Sequence, residues 1–230
     1  MIEHRAKIYL NLGCGDVAVD GWINIDGSPA LLVQKIPFIG PLISKARGVV
    51  FDDQIIYGDI VNGLTECGQD TVAGIFLSHV LEHVALEDSE LVLANCFRLL
   101  EPGGLLRVIV PDLNFFVMKY LEDVRNDPPL GSGRFVSAGD RFMAQTDLGV
   151  IGSRCSSLKR VMSAFSNRRH LWMFDRQSLA TRLSNAGFEE ISEFVPNNCE
   201  DSHFILPERE HMFFQNGERY ALSIQCYKPC

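Results

Sequence analysis

Five short apolar runs in the first half of the chain, each with its own stop signal, constrain the fold more than any other feature. KIYLNL (7–12) runs into Gly13, and WINID (22–26) ends on Asp26. A third run, around Ile55, Ile56 and Tyr57, stops at Gly58–Asp59. VAGIFLSH (72–79) ends on Ser78 and His79, and LLRVIV (105–110) is stopped by Pro111. Runs this short and apolar read as buried strands. Between the fourth and fifth, Leu86, Leu91, Leu93, Ala94, Phe97, Leu99 and Leu100 keep helical spacing. Glu87 and Asp88 fall in the first turn of that helix and Arg98 in its last, as the helix dipole prefers. Pro102–Gly103–Gly104 ends it. Residues 28–35 also read as helical, up to Pro37. Strands alternating with helices build βαβ units, and hence a parallel sheet with right-handed crossovers.

Further along, 176–186 is an amphipathic helix closed by Gly187. Stretches 189–195 and 220–227 read as two more strands, joined by a loop of about 24 residues, long enough to suspect a function. The expectation is an α/β fold: a doubly wound, mostly parallel, seven-stranded Rossmann-like sheet in a single domain over 1–230. Residues 112–175 form a helical insertion after the fifth strand. Composition agrees, because 47% apolar and 22% charged residues exclude disorder and repeat architectures. No apolar run reaches the ~18 residues of a membrane span, and the first ten residues lack the apolar core of a secretory signal. Seven cysteines stand singly, an odd number with no C-x-x-C, which points to reduced thiols in the cytoplasm. A net charge of −8 argues against nucleic acid as a partner.

In doubly wound sheets the ligand lies beyond the carboxyl ends of the strands, where strand order reverses. The first strand is followed there by Gly13–Cys14–Gly15–Asp16, and glycine lets the backbone turn sharply and approach a ligand. Asp26 closes the second strand, where a carboxylate can accept both hydroxyls of a ribose. Asp59 follows the third and can accept from an adenine amino group; Ser78 and His79 follow the fourth. Each piece alone has a plain reading as a turn residue or helix cap; in this order they describe an adenosine pocket. Gly13-x-Gly15-x-x-Ala18 formally matches a dinucleotide fingerprint, but that motif sets its acid about 20 residues on, past a full helix. Asp26 comes too soon for such a helix, and Asp16 would put negative charge where a pyrophosphate should lie. A cationic adenosine compound without phosphate suits the loop better, and S-adenosylmethionine is one.

The strings LNLGCGDVAVDGWINID, GDI, FLSHVLEHV and LLEPGGLLRVIVPDL resemble class I S-adenosylmethionine-dependent methyltransferases. The branch resembled often accompanies sugar and polysaccharide biosynthesis. HLWMFDRQSLATRLSNAGF is similar to the segment before the last two strands in that branch. The resemblance implies that Leu12, Gly13, Cys14 and Gly15 line the methionine tail. It further implies that Asp26 and Gly27 hold the ribose, Asp59 and Ile60 frame the adenine, and Ser78 and His79 lie beside the sulfonium. At Asn11 the sequence departs from the many members that carry an acid there; Asn11 can still order the loop by hydrogen bonds, with less pull on a cation.

A hydroxyl acceptor needs its proton removed, which calls for a base such as His or Asp. The candidates are His79, His83, Asp112, His170 and Asp175. His83 reads equally as a helix-start residue bonded to backbone, Asp112 as the cap of a helix over 113–124, and His170 as a packed ring beside Trp172. H-x-x-E-H at His79, Glu82 and His83 formally matches a zinc-hydrolase pattern, but that motif needs a helix and a third ligand downstream. Following a buried strand, it gives no expectation of a metal. Residues 125–182 carry ten Lys/Arg against four Asp/Glu on an otherwise acidic chain. Arg168 and Arg169, with His170, are the candidate contacts to an anionic small-molecule acceptor, since arginine forks suit phosphate; the alternative is a solvated helical face. A nicotinamide-dependent oxidoreductase and a non-catalytic binding protein remain as competing readings.

Overall fold

The computed structural model describes residues 6–38, 40, 48, 50–64, 67–126, 135–149 and 169–230. The strands and helices, in chain order, are β1 (Tyr9–Leu12), β2 (Ile23–Asp26), α1 (Pro29–Gln34), β3 (Ile56–Tyr57), β4 (Val72–Ser78), α2 (Leu86–Leu99), β5 (Leu100–Pro111), α3 (Leu113–Arg125), α4 (Ala138–Gln145), α5 (Arg176–Asn185), β6 (Glu189–Glu193), β7 (Phe214–Gln215), β8 (Glu218–Arg219) and β9 (Ala221–Tyr227). The main sheet has seven strands in the order β3-β2-β1-β4-β5-β9-β6. All its pairs are parallel except those of β9 with β5 and β6. This is the doubly wound, mostly parallel Rossmann-like sheet that the sequence implies. Strand order reverses between β1 and β4, so the crevice expected for a ligand opens at their carboxyl ends.

One sheet face carries Leu10, Leu12, Ile75, Leu77, Leu106, Val108, Val110, Leu222 and Ile224, packed against α2 and α5. Helix α2 buries Val92, Leu93, Cys96 and Leu99 there. Leu91, counted in its apolar pattern, is instead 52% exposed. The other face is covered differently. Tyr9, Phe76, Leu105 and Ile109 meet Trp22, Phe194, Phe204 and Phe213. Phe204 and Phe213 come from the long β6–β9 connection and are fully buried. Two short 3₁₀ turns, Ser202–Ile205 and Glu210–Met212, and the β7–β8 hairpin shape that connection. So the loop whose length hinted at function is first of all the lid of the second core.

An ion pair inside the protein fastens this lid. Arg107 on β5 is 1% exposed and pairs with the buried Glu208. The same guanidinium donates to the Asn198 carbonyl and to Gln225 Oε1, at 2.6 and 2.9 Å, and lies 4.0 Å from the Phe194 ring centroid. A buried charge is tolerable only with partners of this kind. The fifth strand also begins earlier than its apolar run suggests. Pro102–Gly103–Gly104 lies inside β5, where the register with β4 shifts between Val72 and Gly74. Gly103, at φ +77°, donates to the Lys228 carbonyl, and Lys228 donates back to Gly104, so the glycine pair continues the sheet as an irregularity.

Candidate active site

Between β1 and β2 there is no helix among the described residues, only a tight turn, and the loop after β1 is held by side chains. Asn24 is its hub. Its Oδ1 accepts from Asn11 Nδ2 at 3.0 Å and from Val19 N at 2.9 Å, while its Nδ2 donates to the carbonyls of Val19 and Trp22. Asn11 thus orders the loop from below. Gly13 (φ +66°) and Gly15 (φ +68°) take left-handed conformations. At Gly13 a Cβ would stand 2.2 Å from Val80 Cγ2, so both φ and space require glycine there.

Asp26, at the end of β2, is 8% exposed. Its Oδ2 accepts from Gly15 N at 3.0 Å and its Oδ1 from Ser28 N at 2.7 Å. One carboxylate therefore fixes the glycine loop and starts α1, and each oxygen keeps a further lone pair for a ligand. Burial raises the Asp26 pKa above the usual carboxylate value, against the pull of the Ser28 and Gly15 amides. Asp59 is shaped by its own turn, with Oδ1 accepting from Val61 N at 2.9 Å and Oδ2 from Asn62 Nδ2 at 2.6 Å.

Asp26 and Asp59 line one cavity of about 600 Å³, a size usual for small-molecule sites. Leu12, Gly13, Gly15, Gly27, Ile60 and His79 line it too. Cys14 and Ser78 do not; they border a smaller cleft of about 120 Å³ with Asn11, Arg209 and His211. Gly13 borders both, between the cleft and the main cavity. Pro29, Val61, Val80, Asp88 and Leu171 join the lining of the main cavity without having been expected. Val61 could have been reached as the neighbour of Ile60, but Leu171 carries no local signal.

His79 sits at φ +54° where β4 ends. Its Nδ1 is 2.9 Å from Glu82 Oε1 and its Nε2 3.0 Å from the Met212 carbonyl oxygen. Burial pulls the imidazolium down, but the hydrogen bond and charge of Glu82, with the Met212 carbonyl, outweigh it and raise the pKa. With a hydrogen-bond partner at each ring nitrogen, His79 is tied into the cavity wall. The chain after it enters a 3₁₀ turn, Leu81–His83. Tight turns bring residues three apart together, so His79 meets Glu82, and His83 turns elsewhere.

His83 does line the cavity. Its Nδ1 lies 2.9 Å from the Arg169 carbonyl oxygen, which places the proton on Nδ1 and the lone pair on Nε2. The His170 ring centroid is 5.0 Å from that of His83, so the packing partner of His170 is His83. Burial lowers the His170 pKa, and the nearby Glu82 opposes that. The chain leaving the insertion is pinned here, since Leu171 N and Trp172 N both donate to the Glu82 carbonyl.

Asp112 takes the helix-cap position that the sequence also allowed. Its carboxylate accepts from Asn114 N at 2.9 Å and caps α3, and it is not part of the cavity lining. Burial raises its pKa, and the charges of Glu193 and Asp175 add to that. Arg169 is partly buried and its Nη2 has no hydrogen-bond partner. Arg168 lies outside the described residues, as does most of the basic stretch. Among the described residues no helix is long and apolar enough to cross a membrane.

No curated protein sequence matches the chain. Solved structures resemble it at low identity. A SAM dependent methyltransferase from Archaeoglobus fulgidus aligns with a TM-score of 0.48 at 12% identity, over 97% of this chain and 86% of that one. A phosphoethanolamine N-methyltransferase from Haemonchus contortus, solved with phosphomonomethylethanolamine and S-adenosylhomocysteine, aligns with a TM-score of 0.48 at 12% identity, over 98% of this chain and 49% of that one. The decisive match is to a family model described as a methyltransferase domain, which spans residues 7–193. With most of its length so matched, the chain belongs to the methyltransferase domain family and is an S-adenosylmethionine-dependent methyltransferase.

Proposed function

We propose that the protein transfers the methyl group to a hydroxyl of a small anionic acceptor, a sugar or sugar nucleotide of cytoplasmic polysaccharide biosynthesis. In this reading the cofactor lies in the cavity at the carboxyl ends of β1, β2 and β4. The residues present fit it. Gly13 and Gly15 leave room for close approach, Asp26 keeps two lone pairs toward the ribose, and Asp59 with Ile60 flanks the adenine. S-adenosylmethionine, when bound, supplies a methyl group made electrophilic by its sulfonium. The chain's own task is alignment, which in near-attack geometry can be worth roughly 7–11 kcal/mol, together with removal of the acceptor's proton.

The observation that carries the choice of a hydroxyl is the free Nε2 lone pair of His83 on the cavity wall. An acceptor oxygen beside it can give up its proton to that nitrogen. The His170 ring, whose pKa burial lowers, packs against His83. Arg169, with an unpartnered guanidinium nitrogen, supports a negatively charged acceptor. The described cysteines are all free thiols, which fits a reducing compartment. The test is a panel of nucleotide sugars incubated with labelled S-adenosylmethionine, followed by the pH profile of kcat/KM. Label should enter an ether, and H83A should abolish the acidic limb while D112N leaves it in place. Transfer to amines alone, or loss of that limb in D112N rather than H83A, overturns the reading.

A further inference from the structure

We propose that Glu82, His83 and His170 form a binding site for one divalent transition-metal ion at the rim of the cofactor cavity. One ligand atom from each lies within 4.8 Å of the other two. The Glu82 side chain is fully buried, and only one of its oxygens is used, by His79. The other, Oε2, is buried without a hydrogen-bond partner, and so is Nδ1 of His170. Orphaned polar atoms inside a protein are costly, and here both belong to residues of one three-residue cluster. Among the described residues no lysine or arginine pairs with Glu82. His83 supplies the third atom in the form a metal needs: its Nδ1–H is directed at the Arg169 carbonyl, leaving Nε2 free, the usual orientation of a ligating histidine.

Two imidazoles and a carboxylate suit zinc, cobalt, iron or manganese, whereas magnesium and calcium prefer oxygen alone. Three protein ligands would leave further positions for water, and His83 is among the residues lining the cavity. The ligand set differs from the one H-x-x-E-H invites. His79 is excluded because both its nitrogens are engaged, and the third ligand returns from the far end of the insertion. An ion takes the same His83 lone pair that the base role uses, so that base role belongs to the metal-free protein and an ion bound here would displace it. Metal affinity is read without any methyl transfer, and its failure leaves the acceptor proposal standing.

The experiment strips the full-length protein with a chelator, then titrates it with Zn²⁺ by calorimetry and with Co²⁺ by visible absorption. We expect one ion per chain, binding at least roughly tenfold weaker in both H83A and H170A, and unchanged in H203A, whose histidine is exposed beside Asp201. Excess Mg²⁺ should not compete. Far-UV circular dichroism checks that each variant is folded, with His170→Gln as the second variant should H170A misfold. Absence of saturable binding to the native protein, or native-like binding by both H83A and H170A, refutes the site.

Discussion

The Asp26→Asn substitution tests the cavity assignment most directly. The native carboxylate accepts the Gly15 and Ser28 amides, one on each oxygen. An amide side chain has one oxygen, so it can keep only one of those donors. The shorter bond, to Ser28 at 2.7 Å, is the one to survive. The amide nitrogen then faces Gly15 N–H and also faces ribose hydroxyls that need an acceptor. Losing charge-assisted hydrogen bonds of this kind costs about 1.5–3 kcal/mol, or roughly 10–150-fold in affinity. Stability of the free protein should move much less. Burial holds the folded pKa of Asp26 up, so the ionised group lowers native stability as pH rises from the unfolded value through the folded one. Removing the charge relieves that and offsets the lost tether. Calorimetry with S-adenosylhomocysteine gives the affinity, and thermal unfolding without ligand gives the stability. The 2′-deoxy analogue sharpens the test: it should bind the native protein more weakly but lose little further on D26N, because the two changes remove one interaction. Binding of S-adenosylhomocysteine to D26N within twofold of native would show that Asp26 does not face the ribose.

Three further outcomes are expected. Gly13→Ala must adopt a left-handed φ costing about 1–2 kcal/mol and meets Val80 Cγ2; adding Val80→Ala should recover the clash but not the φ cost, as read by unfolding midpoints of both variants and the pair. Glu208→Ala strands the Arg107 guanidinium and should lower unfolding free energy by about 3–5 kcal/mol in urea titrations, with a parallel loss of cofactor affinity because the same loop carries Met212. His79, whose pKa is raised, contributes stability that is fully present below its unfolded pKa and lost as pH rises through the folded one; NMR titration should place its midpoint above 6.5, and Tyr220→Phe should leave it there.

Much of the sheet is legible because buried parallel strands are continuous apolar runs that end abruptly, and β1, β2, β4 and the core of β5 do so. The cofactor residues are legible for a topological reason: whatever follows such a strand falls at the ligand edge. That rule reaches Asp26 and Asp59 but cannot say which side of the sheet a loop residue faces, so it treats Ser78 and Gly13 alike. Nor can it separate a base from a helix cap at Asp112, one oxygen of which caps α3. The cover of the second face was not legible at all. Phe204, Phe213 and Glu208 sit in a stretch without periodicity, and their burial is decided by Arg107 and the aromatic surface of strands far away in sequence.

Glu82 shows how the site hangs together. It is a carboxylate with no solvent exposure, and its one ion pair among the described residues is with His79. Burying such a group costs several kcal/mol unless it is fully paired, so an apolar residue would serve the fold better at this position. Its neighbours explain why a carboxylate stands there. Through Oε1 it raises the His79 pKa and helps hold that ring on the Met212 carbonyl, which ties the cavity wall to the loop covering the second core. Through its carbonyl it holds Leu171 and Trp172, which brings His170 to His83. The strand that precedes it, the loop before β9 and the end of the insertion therefore meet on a single residue. Replacing Glu82 with the isosteric Gln would keep the packing and the backbone contacts but remove the charge that His79 answers. The expected result is a His79 midpoint shifted to lower pH with the fold retained, and an unchanged midpoint would show that the Met212 carbonyl alone sets the protonation of the wall.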